Sequence, residues 1–286
     1  MQIITKQNEL EIALSKYANS VIGFVPTMGA LHEGHISLIV ESKNKTDITV
    51  CSIFVNPTQF TQQVDFEKYP QKIEADILLL KAVACDILFL PSKEEIFTNG
   101  LMNLKKYDLG NLEYILEGEF RPGHFQGVCQ VVDILLQIVK PNFLFLGEKD
   151  FQQCKVIQLM IDSKQTNIEC LLITMPTIRD ESGLAKSSRN LRLNASALIK
   201  ATALFKALKN IYATIKPGDL STITKNAIHE IMDAGFEKVD YIAFADASSF
   251  QLLNNWDGKS SIIALGAAYF DGIRLIDNIR IDVNRL

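Results

Sequence analysis

Two histidines three residues apart, His32 and His35, lie in the run Pro26-Thr27-Met28-Gly29-Ala30-Leu31-His32-Glu33-Gly34-His35, which leaves an apolar stretch and enters a helical one. Side chains at i and i+3 of a helix share a face, so both imidazoles project to one side. Gly29 and Gly34 permit close backbone approach, and amides exposed at a helix N-terminus favour a phosphate. The run reads as a cradle for a nucleoside triphosphate in which His32 and His35 donate hydrogen bonds to charge developing on the phosphates. The plain alternative is a turn cap followed by a helix start. Metal ligation by the pair is not expected, because no third ligand lies nearby and the H-E-x-x-H spacing is absent.

A second run, Phe145-Leu146-Gly147-Glu148-Lys149-Asp150-Phe151-Gln152-Gln153, again leaves an apolar strand and opens a helix. Glycine, lysine and two carboxylates at a strand's carboxyl end suit phosphate and ribose binding, with Lys149 as a mobile point charge. A solvated helix start, its acids matched to the dipole, would look similar. The third run is Arg179-Asp180-Glu181-Ser182-Gly183-Leu184-Ala185-Lys186-Ser187-Ser188-Arg189-Asn190. Hydroxyls flanked by cations suit a lid that brings Lys186 or Arg189 to a leaving pyrophosphate. An interdomain linker would explain the serines and glycine but not the cation-hydroxyl-hydroxyl-cation order.

These runs need elements to hold them. Strand-like segments at 21–25, 48–54, 87–90, 143–147 and 170–174 alternate with helical periodicity at 36–44, 72–84, 127–139 and 149–163. That alternation predicts an α/β, Rossmann-like, doubly wound parallel sheet with ligands beyond the strands' carboxyl ends. After Pro176 the order changes: a long helix over 195–215, a second over 222–234, then strands at 239–244, 261–269 and 273–281. We expect residues 1–175 to form a Rossmann-like nucleotide- and substrate-binding domain and residues 176–286 a smaller C-terminal α+β lid domain.

Bulk properties narrow the function classes. A chain of 286 residues, 48% hydrophobic, buries a large core, and a net charge of -4 supplies no general basic field for a nucleic-acid backbone. No nucleic-acid partner is expected. The most apolar run, 261–270, is about half a membrane span in length. With no signal or transit pattern at the N-terminus, a cytoplasmic protein without membrane attachment is expected. Cys51, Cys85, Cys129, Cys154 and Cys170 are scattered and mostly flanked by apolar residues, which reads as small buried hydrophobes in a reducing compartment.

The H-x-G-H pattern resembles the HIGH motif of the nucleotidyltransferase superfamily, and the third run resembles its KMSKS loop. Together with residues 52–60 (Ser-Ile-Phe-Val-Asn-Pro-Thr-Gln-Phe), Tyr69-Pro70, Leu116-Glu117-Gly118, residues 121–128 (Arg-Pro-Gly-His-Phe-Gln-Gly-Val) and residues 274–278 (Arg-Leu-Ile-Asp-Asn), they closely resemble the pantothenate synthetase family. The resemblance implies ATP-dependent condensation of (R)-pantoate with β-alanine through a pantoyl adenylate, releasing AMP and pyrophosphate, by a Mg²⁺-dependent cytoplasmic homodimer. Its ATP, pantoate and β-alanine sites carry over by position. Met28, Gly29, Ala30, Leu31, His32, Glu33, Gly34 and His35 would line ATP, with His35 the proton donor. Gly147, Glu148, Lys149, Asp150, Ile178, Lys186, Ser187, Ser188 and Arg189 would complete the nucleotide site. Gln59 and Gln153 would hold pantoate, and Gln59 would also meet β-alanine. Catalysis would fall to His35, His32, Lys149 and Arg189; the Mg²⁺ ligands are not assigned.

Two departures stand out: Lys186 where the family commonly has an apolar residue, and Ser182 where it has Asp. A nucleotidyltransferase stopping at a nucleotide product is the rival enzyme, against which the paired glutamines Gln59 and Gln153 argue. A non-catalytic nucleotide-binding regulator is the rival from another class.

Overall fold

Apolar runs without polar alternation become strands covered on both faces, as a parallel sheet requires. The computed structural model describes residues 1–102 and 104–283, which divide into two compact units, Met1–Glu148 with Gln152–Pro176, and Lys149–Phe151 with Thr177–Leu286.

In the first unit the order is β1 (Gln2–Ile4), α1 (Gln7–Ser15), β2 (Ile22–Thr27), α2 (Glu33–Lys45), β3 (Ile48–Ile53), α3 (Gln63–Glu67), α4 (Ile73–Ala82), β4 (Ile87–Phe89), α5 (Lys93–Ile96), α6 (Glu117–Phe120), α7 (His124–Val139), β5 (Phe143–Gly147), α8 (Phe151–Asp162) and β6 (Leu171–Met175). The sheet runs β1-β4-β3-β2-β5-β6, and every pair is parallel. Alternate residues face opposite layers. Phe24, Val50 and Leu144 enter a core with α1 and α7, while Val25, Cys51 and Phe145 enter another with Leu38 and Ile39 of α2 and Leu80 of α4. The expected doubly wound sheet is therefore present. The chain winds from β2 outward to β3 and β4, then returns to place β5 on the other side of β2. The carboxyl ends of β2 and β5 thus meet at the topological switch point where such sheets bind ligands.

In the second unit follow α9 (Ala195–Ala201), α10 (Ala203–Thr214), β7 (Gly218–Asp219), α11 (Ser221–Asp233), β8 (Lys238–Asp246), β9 (Asn255–Trp256), β10 (Ile262–Phe270) and β11 (Ile273–Ile281). Three strands form an antiparallel sheet, β11-β10-β8, whose core includes Leu204, Leu208 and Ile211 of α10 and Ile231 of α11. The single helix expected over 195–215 is two. The buried Thr202 ends the first, and its hydroxyl donates to Ile199 O at 2.7 Å, a local bond that competes with the helical ladder. Among the described residues no helix is long and apolar enough to cross a membrane.

Candidate active site

Three adjacent strands, β3, β2 and β5, point the same way, so the segments that leave them emerge along one edge of the sheet. After β2 comes the histidine run, after β5 Gly147 and Glu148, and after β3 the segment carrying Gln59. The histidine run and the Gly147 run were separate signals in the sequence, and Gln59 came only with the resemblance; parallel pairing makes their strand ends neighbours.

The histidine turn is built differently from the expectation. Gly29 and Ala30 both adopt positive φ, 80° and 49°, in a tight turn that aims the amides of Ala30 and Leu31 at one carboxylate. That carboxylate is the protein's own. Asp76, 1% exposed, accepts from Ala30 N–H at 2.8 Å and from Leu31 N–H at 2.7 Å. Gly29 N–H donates to Thr27 Oγ1 at 3.2 Å. The amides of Gly29, Ala30 and Leu31, which precede the helix N-terminus, are therefore engaged within the protein, because a buried N–H without a partner is costly. Asp76 escaped the sequence reading. Its signal was an acid on the apolar stripe Ile73, Ile77, Leu80 of α4, a position where a carboxylate stays only if it is partnered.

His32 is the N-cap of α2 and His35 its third residue, and the two make a reciprocal capping box. His32 Nδ1 accepts from Gly34 N–H at 3.2 Å, and His35 Nδ1 accepts from His32 N–H at 3.3 Å. Capping and presentation are thus one arrangement. A ring nitrogen that accepts from an amide carries no hydrogen, so in both neutral imidazoles the hydrogen sits on Nε2. The rings lie 4.0 Å apart between centroids, giving two Nε2–H donors side by side.

Gln59 is fixed by its neighbours. Its Oε1 accepts from Asn56 Nδ2 at 3.0 Å, and its Nε2 lies 3.0 Å from Met28 Sδ, which ties the Gln59 segment to the histidine turn. The buried Asn56 also donates to Gly127 O at 3.0 Å. Gly127 is required there, because a Cβ would collide with the Thr58 carbonyl. Of the two neighbouring glutamines on α8, Gln152 is structural. It accepts from Glu117 N–H at 3.0 Å and donates to Leu112 O and Ile115 O at 3.0 and 2.8 Å. Gln153, the residue singled out from the sequence, is half-buried.

The remaining candidates belong to the second unit. Lys149 pairs with Asp150 at 3.8 Å, and its carbonyl accepts from Asn278 Nδ2 at 2.9 Å. The cation-rich run is an ordered hairpin, closed by the Arg179–Ala185 bridge and by Lys186 N–H donating to Ile178 O at 2.9 Å. Arg179 forks onto the buried Asp277 at 2.6 and 2.8 Å and stacks 3.6 Å above the Phe205 ring. Ser182 anchors the tip by donating from Oγ to Asp180 Oδ1 at 2.5 Å. Burial pushes the Asp180 carboxyl up, but the Ser182 hydroxyl and the Leu184 and Ser182 amides outweigh it and hold its pKa below the usual carboxylate range. Ser187 caps the next turn by accepting from Arg189 N–H at 3.3 Å.

The pantoate-beta-alanine ligase family model matches residues 2–280. The chain belongs to that family. Joining pantoate to β-alanine is the activity that membership carries. The pantothenate synthetase of Cytophaga hutchinsonii is 41% identical over 279 residues, 96% of each chain. That of Azobacteroides pseudotrichonymphae is 42% identical over 98% of this chain and 99% of its own. The crystal structure of the Thermus thermophilus enzyme superposes with TM-score 0.84 at 34% identity, covering 98% of this chain and 99% of that one. The Francisella tularensis ligase, solved with a β,γ-ATP compound and β-alanine, gives 0.79 at 38% identity over 98% and 97%.

Proposed function

We propose that this ligase works in two steps on MgATP, (R)-pantoate and β-alanine. A pantoate carboxylate oxygen attacks the α-phosphorus of ATP, the bond to the β-phosphate oxygen breaks, and pyrophosphate leaves. The β-alanine amine then attacks the acyl carbon of pantoyl adenylate and loses a proton. The acyl C–O bond breaks, and AMP departs with the oxygen pantoate supplied.

No covalent protein nucleophile is needed, only alignment and charge neutralisation. His32 and His35 are assigned to the phosphates through their Nε2–H donors, with His35 the proton donor. Met28, Gly29, Ala30, Leu31, Glu33 and Gly34 line ATP, though the amides of Ala30 and Leu31 serve Asp76 instead of phosphate. Gly147, Glu148, Lys149, Asp150, Ile178, Lys186, Ser187, Ser188 and Arg189 are assigned to the nucleotide, with Lys149 and Arg189 neutralising the departing charge. Gln59 and Gln153 are assigned to pantoate, and Gln59 also to β-alanine; a neutral amide donates and accepts without fixing a charge. Residues 1–175 are the proposed nucleotide- and pantoate-binding domain and residues 176–286 a lid domain, in a cytoplasmic homodimer.

Among the described residues no group of three or more His, Cys, Asp or Glu side chains is placed to hold a metal ion. Mg²⁺ in such sites keeps waters and substrate phosphates as ligands with one or two carboxylates, so it is assigned here to the nucleotide and neutralises triphosphate charge.

The observation carrying this reading is the shared edge of β3, β2 and β5, which delivers Gln59, the histidine pair and Gly147 from adjacent strands. The test omits each acid in turn. Pyrophosphate should appear in a stoichiometric burst with ATP and pantoate alone, and AMP should accumulate only when β-alanine is added. Pyrophosphate release without pantoate would refute the reading.

A further inference from the structure

Gln59 is the residue on which both acids are proposed to rest, and its backbone is held by a third histidine. His124, the first residue of α7 and 5% exposed, has Nδ1 2.7 Å from Gln59 O. A peptide carbonyl only accepts, so Nδ1 carries the hydrogen. The other ring nitrogen, Nε2, is 3.0 Å from Arg121 Nη1, and a guanidinium only donates, so Nε2 accepts. Partners at both ends specify the neutral Nδ1–H tautomer; a proton on Nε2 would face a guanidinium N–H. Arg121 is set in turn by the buried Glu117 at 3.6 Å, and its Nη2 lies 3.5 Å from the same Gln59 carbonyl. The Gln59 side chain is oriented separately, by Asn56.

We propose that His124 is a positioning residue for the acid substrates. It acts through Gln59, fixing the carbonyl so that the side-chain amide meets pantoate and β-alanine at one place. The inference rests on the assignment of Gln59 above. Glu117, Arg121 and His124 form the chain of contacts that sets this carbonyl, and none of them needs to touch substrate for it to do so.

Two amide substitutions separate the nitrogens, since Asn places its amide near Nδ1 and Gln near Nε2. His124→Asn should keep the Michaelis constants for pantoate and β-alanine within about threefold of wild type, whereas His124→Gln should raise both by about tenfold, the worth of one net hydrogen bond, with the ATP constant nearly unchanged. In a Gln59→Ala background His124→Gln should add nothing further. Equal effects of the two amides, a fall in kcat alone, or full additivity with Gln59→Ala would overturn the inference. Normal constants in Gln59→Ala would overturn the assignment of Gln59 and this inference together; an impaired Gln59→Ala beside a normal His124→Gln would overturn this inference alone. If the variants do not fold, ¹⁵N NMR of the wild-type imidazole decides: the Nδ1–H neutral tautomer is expected, and Nε2–H would refute the arrangement.

Discussion

Replacing Asp76 by Asn tests whether the histidine turn depends on a buried carboxylate. The side chain now receives two amide bonds, at 2.8 and 2.7 Å, on separate oxygens. Hydrogen bonds to a charged group contribute about 1.5–3 kcal/mol each, and neutral ones about 1 kcal/mol. Asn keeps a single carbonyl and turns its NH₂ toward the second amide, donor against donor. One bond is lost and the other is weakened, so opening of the turn becomes easier by about 2–5 kcal/mol, a factor of roughly 30 or more. Amide hydrogen exchange at Ala30 and Leu31, followed by NMR, reads that opening directly. Because the same turn leads into the His32 cap, kcat should fall as well. Protection at both amides within about threefold of wild type would show that Asp76 does not hold the turn, and the account of how the histidines are presented would fail.

Gly29→Ala places a side chain at φ 80° with its Cβ 3.0 Å from Ile53 Cγ2 and 3.2 Å from Asp76 Oδ2; the left-handed penalty alone costs about 1–2 kcal/mol, so a lower thermal midpoint is expected, and an unchanged one would contradict the geometry. Burial pushes the Cys85 thiol up to about 11 and the Cys129 thiol up to about 12, and raises that of Cys51 well above its ordinary value; iodoacetamide at about pH 8 should leave these three unmodified until the protein is denatured, as mass spectrometry would record. Asp180 has a folded pKa below its unfolded one, so its contribution to the 179–185 hairpin is present above about pH 3.9 and is lost as pH falls through the folded value. Amide protection at Ser182 and Leu184 should therefore be flat between about pH 5 and 7, after correction for intrinsic exchange, and fall only in stronger acid.

What the sequence makes legible follows from locality. The run 143–147 is five apolar or glycine residues ending at a polar turn, and it is a strand over those same residues. β1 escaped notice because three residues, Gln2–Ile4, show no period, and its parallel partner β4 lies more than eighty residues away. The break at Thr202 was invisible in a continuous helical pattern, since it depends on where one hydroxyl turns. At the site, residue types were readable but their partners were not. The glycine and histidines of the β2 turn announce an anion site, yet the anion that fills its amides comes from α4, forty-six residues on. His124 likewise sat in a recognised run, and its role appears only when α7 packs against the segment after β3. Short-range chemistry belongs to the sequence; which group answers it across the fold is a property of packing.

The central claim is that pantoate is activated by forming a bond between its own carboxylate oxygen and the α-phosphorus of ATP. Pantoate labelled with ¹⁸O in its carboxylate, turned over with ATP and β-alanine, tests this most directly. Mass spectrometry of the nucleotide product should find one ¹⁸O in the phosphate of AMP and none in pyrophosphate. AMP without label, or label in a phosphate released together with ADP, would contradict it.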